Sequence, residues 1–337
     1  MAVPVVLPLN SVMMTYRLPS PSGLSFGNKA PGFDRPAQLP RDEAERRRWQ
    51  AANKAWWEAA PMRYDWRESL GESPGSIAYF REIDRRFLAS ARSFMPWRQI
   101  PFDTVIPFAD LYDRDVLEIG VGHGTHAQLL SAYCKSFTGI DLTRTATSMT
   151  AKRLRLFDAP GNVVQMDAEC MGFPDRSFDY VWSWGVIHQS ADTQRVLAEI
   201  HRVLRPGGKC TVMVYYRSWW NYYVVGFLRG VFLGQWRKQG SLHHVSQSGT
   251  DGAIARYYKP DEWRAAVRDL FVLEAIDIYG LKSDVVPLPH GRLKLSLMHI
   301  LPDALTRFLT RHLRMGSLLV VQMRKRDSGI SASSPGC

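Results

Sequence analysis

The residues of this sequence best placed to do chemistry lie in the run Asp115-Val-Leu-Glu-Ile-Gly-Val-Gly-His-Gly-Thr-His126. A short apolar strand there runs into Gly120, Gly122 and Gly124 and then into a helix. Glycines at such a turn adopt positive φ and let a ligand approach the backbone closely. Asp141, followed by Leu142, ends the next apolar segment. A carboxylate there can accept hydrogen bonds from ribose hydroxyls. Taken alone, these features also suit a dinucleotide. Glu118 argues the other way, because a buried carboxylate beside the turn repels a pyrophosphate and attracts a ligand carrying an ammonium and a sulfonium. The spacing is also G-x-G-x-G, with Thr125 where the dinucleotide fingerprint has its last glycine.

The run resembles the first motif of class I S-adenosylmethionine-dependent methyltransferases, and the resemblance continues along the chain. Gln165-Met-Asp-Ala-Glu169 looks like the family's third-strand segment. That likeness implies Asp167 at the adenine amino group, a backbone N–H from Ala168, and Glu169 as a further contact. Phe178-Asp-Tyr-Val-Trp-Ser-Trp-Gly-Val-Ile-His188 is similar to the fourth-strand segment beside the methyl donor, and Val203-Leu-Arg-Pro-Gly-Gly208 to the turn before strand five. The likeness is greatest to the quinone C-methyltransferase (methyltransferase type 11) branch. It implies an enzyme with S-adenosyl-L-methionine as cofactor. It also implies an α/β fold, a Rossmann-like doubly wound sheet of seven mostly parallel strands with the last antiparallel.

Trp182 and Trp184 alternate on one strand and so face the same side. Trp184, at the strand's C-terminal end, is the candidate for the adenosine or sulfonium environment, while Trp182 fills the core. His188 falls just past that strand and is the candidate catalytic residue, since imidazole titrates where a general base for an O–H or N–H acceptor is useful. The competing reading is a histidine that hydrogen-bonds backbone or cofactor and takes no proton. As a base it would give activity that falls below about pH 6.5. Tyr64, in Pro61-Met-Arg-Tyr-Asp-Trp66, is the candidate to fold over the cofactor. On the acceptor side, Tyr215-Tyr-Arg-Ser-Trp-Trp-Asn-Tyr-Tyr223 is too aromatic for an ordinary loop and reads as a lid. Tyr215, Arg217, Trp219, Trp220 and Arg256 are the candidate substrate contacts, with His243 or His244 behind them.

These side chains need a scaffold, and the pattern supplies one. Short apolar segments at Asp115–Ile119, Ser136–Ile140, Val163–Met166, Phe178–Ser183, Lys209–Tyr215, Phe271–Tyr279 and Ser317–Met323 alternate with helices at His126–Cys134, Thr145–Phe157, Asp192–Leu204 and Pro260–Asp269. Such alternation signals a parallel sheet covered on both faces. The methyltransferase domain then spans 100–326, with lid insertions at 216–258 and 280–316. A helical cap covers 41–99: Trp49, Ala52, Trp56 and Ala60 recur at helical spacing in one helix, and Ile77, Phe80, Ile83, Phe87 and Ala91 in a second. Residues 1–40, with Pro, Ser and Gly throughout, read as a flexible arm, and 327–337 as a disordered tail.

The chain of 337 residues carries a net charge of +11, and the excess is regional. No acidic residue falls between Glu199 and Asp251, whereas Arg202, Arg205, Lys209, Arg217, Arg229, Arg237 and Lys238 do. An acidic partner, RNA or membrane, is one reading of such charge. The four cysteines form no C-x-x-C pair, which points to reduced thiols rather than a disulfide framework or a metal site. The longest apolar run is well short of the roughly 20 residues that span a bilayer, and no secretory leader is evident, so a cytoplasmic location is expected. The expected partner is a small-molecule acceptor, a metabolite, sugar or lipid-linked intermediate, with no DNA, RNA disfavoured, and weak contact with a membrane surface. The rival readings are an RNA methyltransferase and a non-catalytic cofactor-binding or peripheral membrane protein.

Overall fold

The computed structural model describes residues 38–64, 69–232, 234–247, 254–288 and 291–326. Most of the expected N-terminal arm, the C-terminal tail and Trp66 lie outside the described residues.

Strand β1 (Asp115–Ile119) is an apolar run buried on both faces, the mark of a central parallel strand. It pairs in parallel with β2 (Ser136–Asp141) on one side and β4 (Phe178–Trp184) on the other. Outward from these, β3 (Asn162–Gln165) joins β2, and β5 (Leu204–Tyr216) joins β4. Strand β8 (Leu318–Lys325) inserts antiparallel between β5 and β7 (Phe271–Tyr279). The order β3-β2-β1-β4-β5-β8-β7 puts the topological switch between β1 and β4, where ligands bind at the carboxyl ends of strands. The sheet has eight strands among the described residues rather than the expected seven. The extra one is the two-residue β6 (Tyr257–Tyr258), which pairs with the end of β5 and closes the first insertion.

The helices between strands lie close to their expected places. They are α3 (Thr125–Ser131), α4 (Arg144–Leu156), α5 (Thr193–Val203) and α9 (Pro260–Val267). Thr143 and Asp192 start α4 and α5 by accepting backbone N–H bonds with their side chains. One face of the sheet buries Leu117, Ile119, Val181 and Val212 against α5 and α9. The other buries Val116, Tyr180, Trp182 and Met213 together with Phe87, Phe94 and Phe102. The second cap helix, α2 (Ile77–Phe94), is thus built into the same core as the sheet. Its buried stripe is the expected one, except that Ile77 is exposed and Tyr79 takes a buried place.

The first cap helix, α1 (Glu43–Ala59), differs from expectation. Its buried residues are Glu45, Trp49, Gln50 and Asn53, so its inner face is mainly polar, and Trp56 is only half-buried. Arg46 Nη1 donates to Glu169 Oε2 at 2.6 Å, Gln50 Nε2 donates to Asp167 Oδ1 at 2.8 Å, and Glu58 accepts from the backbone N–H groups of Arg144 and Thr145. The helix therefore roofs the carboxyl ends of β2, β3 and β4. Both insertions are helical, and Cys134 and Cys210 are free thiols.

The Arg46–Glu169 pair is the strongest tie of the roof, because Glu169 is buried. Burial, with Asp167 nearby, pushes the Glu169 carboxyl up to about 7 even with Arg46 present. A raised folded-state pKa means the folded chain holds a proton that the unfolded chain has lost, so the Glu169 contribution falls as pH rises from about 4.5 to about 7. Arg46→Met removes the compensating charge and widens that window upward. We expect it to cost about 2–4 kcal/mol at pH 8 and distinctly less at pH 6, measured by urea unfolding at the two pH values.

Candidate active site

The turn after β1 holds Gly120, Gly122 and Gly124 at φ of 82°, 52° and 80°. Their surroundings differ. A Cβ on Gly120 would lie 2.2 Å from Val186 Cγ2, and one on Gly124 would lie 2.9 Å from Thr150 Cγ2, so these two glycines pack against protein. A Cβ on Gly122 would meet nothing within 4 Å, which leaves an open face on the turn. Asp141 closes the turn from the end of β2, where Oδ2 accepts from Gly122 N at 3.3 Å and Oδ1 from Thr143 N and Oγ1 at 2.9 and 2.8 Å. Leu142, half-buried, fixes its carbonyl to Gln165 Nε2.

Glu118 sits just before this turn, 2% exposed, and its Oε2 has no hydrogen-bond partner. Burial, reinforced by Asp141, raises its carboxyl well above the ordinary carboxylate range. Its nearest basic group is His126 Nδ1, 3.9 Å from Oε1. That imidazole sits among Phe87, Phe102, Trp182 and Trp184, with ring centroids 4.7 to 6.0 Å away, and burial lowers it to about 3. His126 is therefore neutral and does not compensate Glu118. An isolated buried carboxylate is costly, and proteins keep such groups where a ligand completes them.

Trp182 and Trp184 share one face, as expected, and stack at 5.4 Å; Trp182 is fully buried and Trp184 half-buried. Tyr64, at φ 57°, is half-buried with its ring 5.1 Å from Phe87. Asp167 Oδ1 accepts from Gln50 and from the Glu169 backbone N–H, and Ala168 is half-buried. Glu169 differs from its expected role. Its two oxygens are taken by Arg46 and by the Asp192 N–H, so it anchors the roof.

On the acceptor side, His188 follows β4 on a single helical turn and is fully buried, with neither ring nitrogen hydrogen-bonded. Its ring lies 4.0 Å from that of Tyr215, which stacks at 5.5 Å on Tyr257. Burial, with Arg256 nearby, lowers His188 to about 3. The titration near pH 6.5 expected from the sequence is thereby displaced far into acid.

Four expected substrate contacts are otherwise engaged. Arg256 is buried and donates to the carbonyls of Ser190, Ala191 and Gln38, and its own N–H reaches the His188 carbonyl at 3.0 Å. It frames His188 and has no carboxylate partner among the described residues. Arg217 is ion-paired with Glu262. The indole N–H groups of Trp219 and Trp220 donate to the carbonyls of Leu313 and Asp284 at 2.8 and 3.0 Å, which fastens the first insertion to the second. His243 is occupied by Tyr222 Oη and the Ala255 carbonyl, and His244 by Ser241. Sequence reasoning missed Gln50, Asn53 and His126. The signal for the first two was present: Arg46, Gln50 and Asn53 recur at i, i+4 and i+7, a polar stripe on the cap helix.

The Glu118 carboxylate is costly in the ligand-free protein, and the cost grows with pH above about 4.5, because the folded chain keeps a proton that the unfolded chain releases. Glu118→Gln should therefore raise unfolding free energy by about 1–3 kcal/mol at pH 8 and by less at pH 5, read by denaturant titration. Gly120→Ala should destabilise more than Gly122→Ala in the same assay, since only the former meets a side chain.

The geometry agrees with comparisons to known proteins. The family described as a methyltransferase domain matches residues 117–212, from β1 into β5. The chain is 42% identical over 102 residues to a phthiotriol/phenolphthiotriol dimycocerosates methyltransferase of Mycobacterium tuberculosis, a match covering 29% of this chain and 37% of that protein. It is 36% identical over 102 residues to a fatty-acid O-methyltransferase of Mycolicibacterium smegmatis, covering 30% of this chain and 36% of that one. A tRNA U34 carboxymethyltransferase of Methylococcus capsulatus is 29% identical over 202 residues, 51% of this chain and 61% of that protein. The chain thus spans little more than a third of the length of the first two. Residues 117–212, which contain the glycine turn, Asp141 and β4, thus match a methyltransferase domain.

Proposed function

We propose that this protein transfers the methyl group of S-adenosylmethionine to a small apolar acceptor, a lipid or lipid-linked molecule. The observation that carries the cofactor half is Glu118, a buried carboxylate with an unpartnered oxygen beside a glycine turn whose Gly122 face is open. Such a site favours a cationic ligand that approaches the backbone, and it disfavours a pyrophosphate. Glu118 would hold the methionine ammonium, and the turn at Gly120, Gly122 and Gly124 the adjoining atoms. Asp141 and Leu142 would flank the ribose, and Asp167 and Ala168 the adenine, with Trp184 and Tyr64 walling the site. When bound, this group supplies a methyl on a positively charged sulfur, so the chain has no electrophile to activate.

The acceptor half draws on the aromatic walls at Tyr215 and Tyr257 and on the two mycobacterial relatives, whose names describe acyl-chain substrates. Alignment of the acceptor with the methyl group can supply most of the acceleration. His188 stays neutral, and at about 3 it is too weak a base to take a proton at neutral pH. In this reading it is a positioning group, accepting a hydrogen bond from the acceptor O–H or N–H. The RNA reading has the tRNA-modifying relative and the net charge in its favour. It accounts less well for cationic insertions that also expose Phe227, Phe232 and Ile300.

Calorimetry should give micromolar binding of S-adenosylmethionine or its demethylated product and none of NAD. Glu118→Ala and Asp141→Ala should each weaken binding by about 1–3 kcal/mol. Because the Glu118 carboxyl is raised well above the ordinary range in the free protein, binding a cation there should expel a proton. The binding enthalpy should then vary with the ionisation enthalpy of the buffer. Affinity unchanged in both variants would end the cofactor assignment. For His188, the Ala variant should lose at least about 10²-fold in kcat and the Asn variant much less, with wild-type kcat flat from about pH 8 to pH 5.5. An Asn variant as slow as Ala, with activity lost through one ionisation near pH 6.5, would make His188 a base instead.

A further inference from the structure

The two insertions leave a large apolar area uncovered. A π-helical run, Trp219–Val225, continues into α6 (Gly226–Phe232) as one rod capped by Ser218. Its inner face buries Tyr222, Val225, Gly226 and Gly230. Its outer face exposes Trp219, Tyr223, Phe227 and Val231, an apolar residue every fourth position for the whole length. Phe232, the last residue, is 79% exposed. In the second insertion, α11 (Arg292–Ile300) repeats the device, with Leu293, Leu297 and Ile300 exposed at i, i+4 and i+7 and Ile300 at 74%. Amphipathic helices of globular proteins normally turn such a stripe inward. The bonds from Trp219 to Leu313 and from Trp220 to Asp284 fix both insertions to one another.

The charge around these stripes selects the partner. Arg229 lies two residues from Phe227, Arg237 follows Trp236, Arg292 precedes Leu293 and Arg314 follows Leu313. None of these four arginines has an ion-pair partner among the described residues. Acidic residues are absent from 216 to 250, and in 280–316 they are only Asp284, which is buried, and Asp303, which is paired with Lys282. A second copy of the chain would set one cationic face against another. RNA would complement the charge and leave the apolar stripes wet. An anionic lipid surface satisfies both, since it takes apolar side chains into the acyl boundary and cations at the headgroups.

We propose that the rod 219–232 and helix α11 dock this protein on an anionic membrane surface. The inner face of the same rod carries Tyr222, 5.0 Å from the Tyr257 ring that stacks on Tyr215 beside His188. Docking therefore puts the acceptor side of the site next to the lipid. The inference deepens the lipid-acceptor reading, yet the surface can be tested without any methyl transfer.

The experiment is sedimentation of the full chain with vesicles of phosphatidylcholine, with and without phosphatidylglycerol, at low and high salt. Binding should require phosphatidylglycerol and weaken with salt. The paired variants Phe227→Ser with Val231→Ser, and Leu297→Ser with Ile300→Ser, should each bind at least about tenfold more weakly. Arg229→Gln with Arg237→Gln should reduce the salt dependence. These side chains are exposed, apart from the half-buried Arg229, and cofactor affinity should stay at the wild-type value in each variant. That control separates failure of docking from failure of the cofactor site. Three results overturn the proposal: no vesicle binding or equal binding to neutral vesicles; a dimer dispersed by the serine variants; or salt-sensitive tRNA binding that the serine variants leave intact without vesicle binding.

Discussion

The buried carboxylate of Glu118 is the constraint from which the rest of the site follows. Its neighbours do not neutralise it: His126 is held neutral by its aromatic surroundings, and Arg153, which lowers the Glu118 carboxyl, is committed to Asp84 and Gln128. Strand β1 needs no acid for its own stability, since Val116, Leu117 and Ile119 already fill both faces. The acid persists in the core at a cost that protonation relieves in the free protein and that a cation bound in the turn would relieve. Two of the three glycines are packed so tightly that no side chain fits, and only Gly122 faces open space.

The roof helix α1 is a second consequence. The ends of parallel strands carry Asp141, Asp167 and Glu169 within a small region, and burial raises Asp141 and Glu169, with repulsion from Glu58 on the first and from Asp167 on the second. Arg46 and Gln50 supply a charge and a donor to this acidic edge, which is why a helix with three Trp residues turns polar groups inward. The sequence pattern could not reveal this, because hydrophobic periodicity identifies the face that seeks a core and not the face that satisfies a polar edge. The strands were a different matter. Their limits were legible to within two residues, except that β5 begins at Leu204 and takes in the expected turn before Lys209, since continuous apolar runs bounded by turns have little freedom in a doubly wound sheet. The glycine turn and Asp141 were equally legible, being backbone requirements written in residue type.

The fate of the candidate arginines shows where such reading ends. Arg217 and Arg256 look alike in sequence, as cations beside aromatic residues. Arg217 pairs with Glu262, a partner 45 positions away, and Arg256 donates only to carbonyls. Neither outcome depends on local pattern, because a guanidinium with five donors takes whatever acceptors tertiary packing brings within reach. Arg256 does more for the site this way than as a substrate contact. It ties the segment after β4 to the end of the first insertion, and it fixes the backbone on which His188 stands.

His188 and the exposed rod can then be understood together. A fully buried imidazole with two unpartnered nitrogens is costly unless something apolar enough to exclude water, and polar enough to donate one hydrogen bond, lies against it. An acyl-chain acceptor with a single reactive hydroxyl or amine would have both properties. Such a molecule is scarce in water and abundant at a membrane. A helix that is aromatic on its inner face and apolar on its outer face, and that is flanked by unpaired arginines, lies between those two environments. If the rod docks as proposed, water exclusion at His188 and lipid contact at Phe227 would be two sides of one element, and the acceptor would be set by its apolar character rather than by any single polar contact.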